Sequence, residues 1–170
     1  GLAFKHGISL PNAPATIEAT RSGTPLDRIL QGAYQVPNFY TKLNLLEHLL
    51  ATDDSMQKVL IFSPSKRTAD LIQRHLDNQF PDQFETIHSN KSQNFRMNAV
   101  VKFEKGLCRG LIATDLLARG LDVTDVTHVI NVDTPAEPET YIHRIGRTGR
   151  ADRDGSSLLF VAESERPAQE

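Results

Sequence analysis

The segment richest in candidate chemistry lies near the end of the chain. Residues 141–153 read YIHRIGRTGRADR and combine His143 with arginines at a spacing of three. These are Arg144, Arg147, Arg150 and Arg153, with Gly146 and Gly149 between them. Planar, permanently charged guanidinium groups suit phosphate oxygens, and glycines let a backbone approach a ligand closely. Two interpretations are open here: a phosphate-binding turn, or a solvated basic helix end that complements the helix dipole.

A second candidate follows an apolar run, in the segment LIATDLLARGLDV at 111–123. Thr114 can donate a hydroxyl to a phosphate, and Asp122 can accept a hydrogen bond from a ribose hydroxyl. Taken singly, Asp115 as a helix cap and Asp122 as a turn residue are the simpler interpretations. The segment therefore indicates a nucleotide site only in combination with other motifs.

A third candidate is IHSNKSQNFR at 87–96. Gln93 and Arg96 lie three residues apart, on one face of a predicted helix N-terminus. Backbone N–H groups and side chains at such an end can hold phosphates. The competing interpretation is a capped amphipathic helix with a polar outer face, and Lys91 is typical of a solvated side chain.

The elements that must position these residues follow from hydrophobic periodicity. Strands are expected at 16–20, 32–37, 58–63, 84–88, 108–114, 127–133 and 156–162, and helices at 40–52, 66–79, 92–106 and 138–145. This alternation predicts a parallel sheet covered on both faces. In open sheets of this kind ligands bind beyond the carboxyl ends of the strands. The residues that follow those ends are Ser63–Ser65, His88–Asn90, Thr114–Asp122 and Asp133–Thr134.

Composition restricts the class of protein. A chain of 170 residues with 39% hydrophobic and 24% charged residues has ordinary globular usage, which argues against disorder, collagen and coiled coils. The net charge of −2 argues against coating nucleic acid by bulk charge, although a local basic patch is compatible with it. No apolar run approaches the roughly 18 residues of a membrane span, and the first residues lack a signal-peptide core.

Cysteine and histidine usage predicts no metal site. Cys108 is the only cysteine, so an internal disulfide and a multi-cysteine zinc site are excluded. It is typical of a packed hydrophobe in an intracellular, reducing setting. His48, His75 and His128 lack metal-ligand spacing. The sequence also has no GxxxxGK[ST] phosphate loop and no acidic run after a strand that could hold magnesium, so its arginines resemble half of a nucleotide site.

Together these motifs resemble the C-terminal RecA-like domain of a DEAD-box RNA helicase. The resemblance rests on VLIFSPSKRTADLI at 59–72, HSNKSQNFR at 88–96, ATDLLARGLDV at 113–123 and YIHRIGRTGR at 141–150, and it covers residues 30–162. It implies a RecA-like three-layer α/β/α sandwich with a mainly parallel central sheet. The expected organisation is an interdomain linker at 1–27, the helicase domain at 28–165 and a tail at 166–170.

The resemblance implies that an N-terminal RecA-like domain supplies the phosphate loop, the DEAD box, the Mg²⁺ and most contacts to ATP. The present domain would close onto that partner when ATP and single-stranded RNA bind. Arg147 and Arg150 would then reach the γ-phosphate as arginine fingers, and Asp122 would bind the ribose. His143 would contact the acidic motif of the partner, whereas the role of Arg144 is open. The isolated chain is expected to be a cytoplasmic monomer that does not hydrolyse ATP.

RNA would lie across the strand ends of both domains. The resemblance implies that Thr114, Gln93 and Arg96 contact its backbone. The residues expected nearby are Ser63, Ser65 and Ser89. Backbone contacts carry no sequence preference, which suits an enzyme that separates many duplexes locally.

The sequence departs from the family pattern at one place. His88-Ser89-Asn90 stands where the family often has His-Gly-Asp, so the resemblance does not fix the roles of Ser89 and Asn90. The stretch IHSNKSQN and the compact ending favour a bacterial enzyme of the RhlE type.

Other classes of protein are also open. A superfamily 2 DNA helicase of the RecQ type would share the fold and the arginines, but His143 and Thr148 favour the DEAD-box pattern. ATP hydrolysis that responds to DNA rather than RNA would separate the two. If the chain were a non-catalytic RNA-binding or docking module, Arg147 and Arg150 would have no nucleotide phosphate to bind. A parallel-sheet domain with no nucleotide role does not explain the two Arg-Gly turns.

Overall fold

The centre of the fold is a sheet in which every neighbouring pair of strands runs parallel. The computed structural model describes residues 29–115, 123, 126–135, 137–145, 147–148 and 155–162. Within these ranges the sheet has six strands: β1 (Ile29–Val36), β2 (Val59–Ser63), β3 (Phe84–Ile87), β4 (Gly110–Thr114), β5 (His128–Asn131) and β6 (Gly155–Ala162). Their order is β1-β6-β5-β2-β4-β3, so β2 lies between the two halves of the sheet.

Four helices lie between these strands in the described residues: α1 (Phe39–Thr52), α2 (Lys66–Asp77), α3 (Gln93–Glu104) and α4 (Pro138–Ile145). The first three begin at polar caps, where the side chains of Asn38, Ser65 and Ser92 accept backbone N–H groups three residues later. Gly106 follows α3 with a positive φ of 75°, as a helix-terminating glycine does. None of the helices in the described ranges has the length and apolar character needed to cross a membrane.

Alternating side chains of the central strand build two cores. Val59 and Ile61 belong to the cluster under α1 and α2, whereas Leu60 and Phe62 belong to the cluster under α3. The sheet is therefore covered on both faces, as a parallel sheet of buried strands requires. This confirms the expected three-layer α/β/α sandwich.

The carboxyl ends of the central strands lie level with one another. Ser63 at the end of β2 is opposite Thr114 of β4, and Phe62 is opposite Asn131 of β5. After β2 the chain builds β3 and β4 on one side and then returns to β5 on the other. Strand order reverses at such a point, and the crevice beyond it is where open α/β sheets bind ligands. We call this part of the molecule the carboxyl edge.

Several element boundaries differ from the sequence prediction. β1 begins at Ile29 rather than at residue 32, because its pairing with β6 starts at Ile29 opposite Gly155. β4 begins at Gly110 rather than at residue 108, and α2 ends at Asp77 rather than at residue 79. The expected strand at 16–20, the linker at 1–27 and the tail at 166–170 lie outside the described residues.

Candidate functional site

Arg144, in the last turn of α4, binds several groups at the carboxyl edge. Only 2% of this residue is exposed. Its Nε and Nη2 each donate to a different carboxylate oxygen of Asp115, both at 2.7 Å. Its Nη1 lies 3.2 Å from Oδ1 of Asp133 and donates to the Asp133 carbonyl oxygen at 3.3 Å. The guanidinium carbon also lies 5.1 Å from the ring centre of Phe62.

The charge of Arg144 is fully compensated by its surroundings. Burial alone would lower the pKa of Arg144, but the hydrogen bonds and charges of Asp115 and Asp133 outweigh it and raise the pKa above its ordinary value. Because a bidentate pair is directional as well as strong, Arg144 fixes α4 against the ends of β4 and β5. We call Arg144, Asp115 and Asp133 the arginine tie.

The arginine tie is what sequence reasoning missed. The sequence leaves the role of Arg144 open and favours Asp115 as a helix cap. A signal is present, since an arginine interrupts the apolar residues of the predicted helix, one aspartate directly follows the predicted strand at 108–114 and another ends the predicted strand at 127–133. Spacing alone does not show which aspartate faces the arginine.

Arg147 lies on a turn that is held from both sides. Its backbone N–H donates to the carbonyl oxygen of Arg144 at 3.4 Å. The next residue, Thr148, is buried, and its hydroxyl donates to the carbonyl oxygen of Val126, with which it also forms an isolated parallel bridge. The main chain around Arg147 is therefore fixed between two anchors, while its side chain is partly exposed.

This turn does not lie at the carboxyl edge. Val126 precedes β5, so the bridge to Thr148 holds the turn beside the amino end of that strand. The reason is that a helix connecting parallel strands runs back along the sheet, and α4 carries the chain in that direction. The general rule that ligands bind at the carboxyl ends of parallel strands therefore does not apply to Arg147.

The other predicted nucleotide residues are placed only in part. His143 is exposed on α4, next in sequence to the buried Arg144. His143 therefore lies in the last turn of α4, and Arg147 lies in the turn that follows this helix. Asp122 and Arg150 lie outside the described residues.

The predicted pair at the start of α3 is formed. Nη2 of Arg96 donates to Oε1 of Gln93 at 2.8 Å, and Ser92 caps the same turn. Gln93 is exposed and Arg96 is partly buried. The Nε of Arg96 is buried and has no hydrogen-bond partner among the described residues. This turn therefore presents a side-chain cation beside the free N–H groups of a helix N-terminus.

The predicted hydroxyl residues differ in how they are used. Ser63 is fully buried and donates to the carbonyl oxygen of Ser65 at 2.9 Å. Ser65 caps α2, accepting the N–H of Thr68 at 3.1 Å. Thr114 is partly exposed beside Ser63, and Ser89 is exposed. The hydroxyls of Ser63 and Ser65 shape the local backbone, whereas Thr114 and Ser89 are residues with exposed surface.

A buried lysine supports the same edge from α1. Lys42 is 4% exposed, and its Nζ donates to the carbonyl oxygen of Val132, next to Asp133. The sequence predicts a helix at 40–52 and indicates no role for Lys42. Its spacing from Leu46 and Leu49 already put it on the buried face, where a cation needs a partner.

The lone cysteine is expected to be chemically inert in the folded protein. Burial, with a smaller contribution from Glu85, raises the pKa of the Cys108 thiol to about 11, and Lys102 offsets this only in part. Relative to its ordinary value of 9.0, a pKa near 11 leaves about 100-fold less thiolate at pH 8. We therefore expect a thiol-specific disulfide reagent to label the native chain at least about 100-fold more slowly than free cysteine, and rapidly in denaturing urea. Labelling of the native chain at the rate of free cysteine would contradict this assignment.

Comparison with known proteins shows that the chain is similar to the C-terminal domains of helicases. Residues 41–152 match the family model described as the helicase conserved C-terminal domain. Over 124 residues, or 73% of the chain, the sequence is 44% identical to DEAD-box ATP-dependent RNA helicase 40 of Oryza sativa subsp. japonica, of which it covers 15%. Over the same length it is 42% identical to ATP-dependent RNA helicase CshA of Listeria monocytogenes, of which it covers 24%. The chain thus spans a quarter or less of the length of these relatives.

Solved structures show the same similarity. The C-terminal domain of the DEAD-box protein Dbp5 superposes with a TM-score of 0.77 and 30% identity, over 85% of this chain and 83% of that one. Saccharomyces cerevisiae Dbp5 bound to RNA and ADP BeF3 superposes with a TM-score of 0.72 and 33% identity, over 81% of this chain and 36% of that one.

Proposed function

This chain belongs to the DEAD-box RNA helicases as their helicase C-terminal domain, and from that premise we propose that it is one half of an ATP-driven enzyme that unwinds RNA locally. The other half is an N-terminal RecA-like domain, onto which this domain closes when ATP and single-stranded RNA are bound. Closure completes the ATP site and makes ATP hydrolysis depend on RNA.

The observation that carries the proposal is the position of Arg147. Its main chain is held on one side by Arg144, itself bound to Asp115, and on the other by the buried Thr148. An arginine supported in this way can present a fixed charge to a phosphate without reorganising when the phosphate arrives. We assign Arg147 to the γ-phosphate of ATP bound on the N-terminal domain.

The remaining ATP contacts are assigned from the motifs. We propose that Arg150 joins Arg147 at the γ-phosphate and that Asp122 binds the ribose. The exposed His143 faces the acidic motif of the partner domain. The Mg²⁺ that accompanies ATP belongs to that partner domain as well.

RNA is assigned to the carboxyl edge, on a different part of the domain from Arg147. The pair of Gln93 and Arg96, with the accessible hydroxyls of Thr114 and Ser89, would bind the sugar-phosphate backbone of a single strand. We assign Ser63 and Ser65 to shaping the neighbouring turn, since their hydroxyls are already bonded. These residues do not touch base edges in this arrangement, so no sequence preference is expected.

The finer assignment to bacterial RhlE-type enzymes rests on residues 87–94 and the compact ending alone. The relatives described above are a plant protein and a CshA protein, and they give this subtype no support. We therefore propose the function at the level of the DEAD-box family.

RNA binding by this chain tests the assignment of the carboxyl edge. The double variant Gln93→Ala/Arg96→Ala is expected to bind a fluorescein-labelled decauridylate about tenfold more weakly than the wild type, because a charge-assisted contact is lost. The slope of log K against log salt should fall in magnitude by about 0.7, the value for one phosphate on a single strand. Affinity is measured by fluorescence anisotropy over a series of salt concentrations.

The matched control is Lys102→Ala. Lys102 is an exposed lysine in the last turn of the same helix, away from the carboxyl edge, and it carries the same charge as Arg96. Its replacement should leave affinity within about twofold of the wild type, since it makes no proposed contact. Equal losses in both variants would mean that bulk charge, not the pair at the start of α3, governs binding.

A further inference from the structure

We propose that His88 is a positioning residue for RNA binding, acting as a neutral imidazole that carries its hydrogen on Nε2 and fixes the turn after β3. This inference rests on the proposed RNA surface at the carboxyl edge and adds to it a residue that does not itself touch RNA. It concerns the turn of residues 88–91, which leads directly into α3.

The imidazole is held at both nitrogens. His88 is 3% exposed, and its Nδ1 accepts the backbone N–H of Asn90 at 3.1 Å. Its Nε2 lies 3.1 Å from Oδ1 of Asp70, on α2. A ring nitrogen accepts only when it carries no hydrogen, so Nδ1 is unprotonated and Nε2 donates to Asp70. The two contacts together select one tautomer of the neutral ring.

The same turn has two further ties. The backbone N–H of Lys91 donates to the His88 carbonyl oxygen at 2.9 Å. The side-chain oxygen of Asn90 lies 3.4 Å from Nζ of Lys66, at the start of α2. Every one of these bonds connects the turn either to His88 or to α2. Ser89, at the middle of the turn, is exposed.

The contact to the backbone N–H of Asn90 distinguishes His88 from a histidine that merely fills the core. A packing role requires that both ring nitrogens find partners, and any polar group nearby would serve. Here one partner is a main-chain N–H inside the turn that carries Ser89 and precedes Gln93. The acceptor on Nδ1 therefore sets the backbone of the RNA-facing segment, and Asp70 sets which nitrogen is the acceptor.

Two isosteric substitutions separate these roles. In His88→Asn the side-chain oxygen lies near the position of Nδ1 and can still accept the N–H of Asn90. In His88→Gln the amide nitrogen lies near the position of Nε2 and can still donate to Asp70, but no acceptor remains for Asn90. Binding of labelled decauridylate by the 170-residue chain is measured for each, together with the thermal midpoint of unfolding.

We expect His88→Asn to bind within about threefold of the wild type and His88→Gln to bind about tenfold more weakly, although His88→Gln keeps the contact to Asp70 and should have the higher thermal midpoint. Similar affinities in the two variants, or losses that follow the thermal midpoints, would overturn the positioning role. A merely structural role favours His88→Gln, because that variant keeps the link between β3 and α2.

The tautomer supplies a readout that does not depend on RNA. A long-range ¹H–¹⁵N spectrum of the wild-type chain at neutral pH should show His88 protonated on Nε2 only. An Nδ1-protonated ring or an imidazolium would overturn the proposal even if the variants bind as expected. If the wild-type chain binds no RNA while the Nε2 tautomer is observed, the failure lies with the proposed RNA surface, and His88 then has no RNA contact to position.

Discussion

Replacement of Arg147 by alanine in the intact two-domain enzyme is expected to reduce RNA-stimulated ATP hydrolysis by about 10³-fold or more. The loss should appear in kcat, because the arginine is assigned to charge that develops on the γ-phosphate in the transition state. ATP affinity should change little, since we assign the phosphate loop and most nucleotide contacts to the N-terminal domain. The anchors on either side of Arg147 are main-chain and neighbouring contacts, so folding should survive the substitution.

The measurement is steady-state ATP hydrolysis with and without single-stranded RNA, alongside binding of a fluorescent ATP analogue. Arg74→Ala is the matched control, because Arg74 is exposed in the last turn of α2, which covers the face of the sheet opposite to Phe62 and Arg144. It should hydrolyse ATP as the wild type does. The 170-residue chain alone should not hydrolyse ATP in either form. Turnover of Arg147→Ala within tenfold of the wild type would remove the arginine-finger assignment.

The layered architecture was predictable because local signals and long-range packing agree. The first four residues of β2, VLIF, are apolar at consecutive positions, which indicates a strand buried on both faces. Ser65 and Ser92 stand directly before helical patterns, and both cap helices in the structure. Each signal lies within a few residues of the element it defines, so the sequence carries it without reference to the rest of the chain.

The side-chain contacts inside the site were less predictable because the residues that form them are far apart in the chain. Arg144 binds Asp115, 29 residues away, and the sequence contains other acidic residues that could equally have paired with it. The choice depends on strand order, which brings the ends of β4 and β5 close to α4. The same reasoning applies to Lys42, whose partner carbonyl at Val132 is 90 residues away. Spacing identifies the elements, whereas side-chain partners follow from the topology.

The arginine tie is expected to make Arg144 one of the residues most costly to replace for stability. Arg144→Met should lower the free energy of unfolding by about 3 kcal/mol, since removing one partner of a buried ion pair leaves uncompensated charge. Methionine keeps most of the volume above Phe62, so little of the loss comes from a cavity. We expect a value toward the lower end of the range for buried pairs, because the side chains of Asp115 and Asp133 are 34% and 22% exposed and keep some solvent.

Urea unfolding of the 170-residue chain measures this effect, with Arg74→Met as the exposed control expected within about 0.5 kcal/mol of the wild type. Adding Asp115→Asn to Arg144→Met should recover part of the stability, because it removes the carboxylate that lost its partner. The conservative variant Arg144→Lys keeps the charge but cannot make the two-point contact with Asp115, so it should fall between the wild type and Arg144→Met. A loss below about 1 kcal/mol in Arg144→Met would place the arginine tie among ordinary surface pairs. In that case the side chain of Arg144 would add little to the support of Arg147, whose contacts at the Arg144 carbonyl oxygen and through Thr148 would remain.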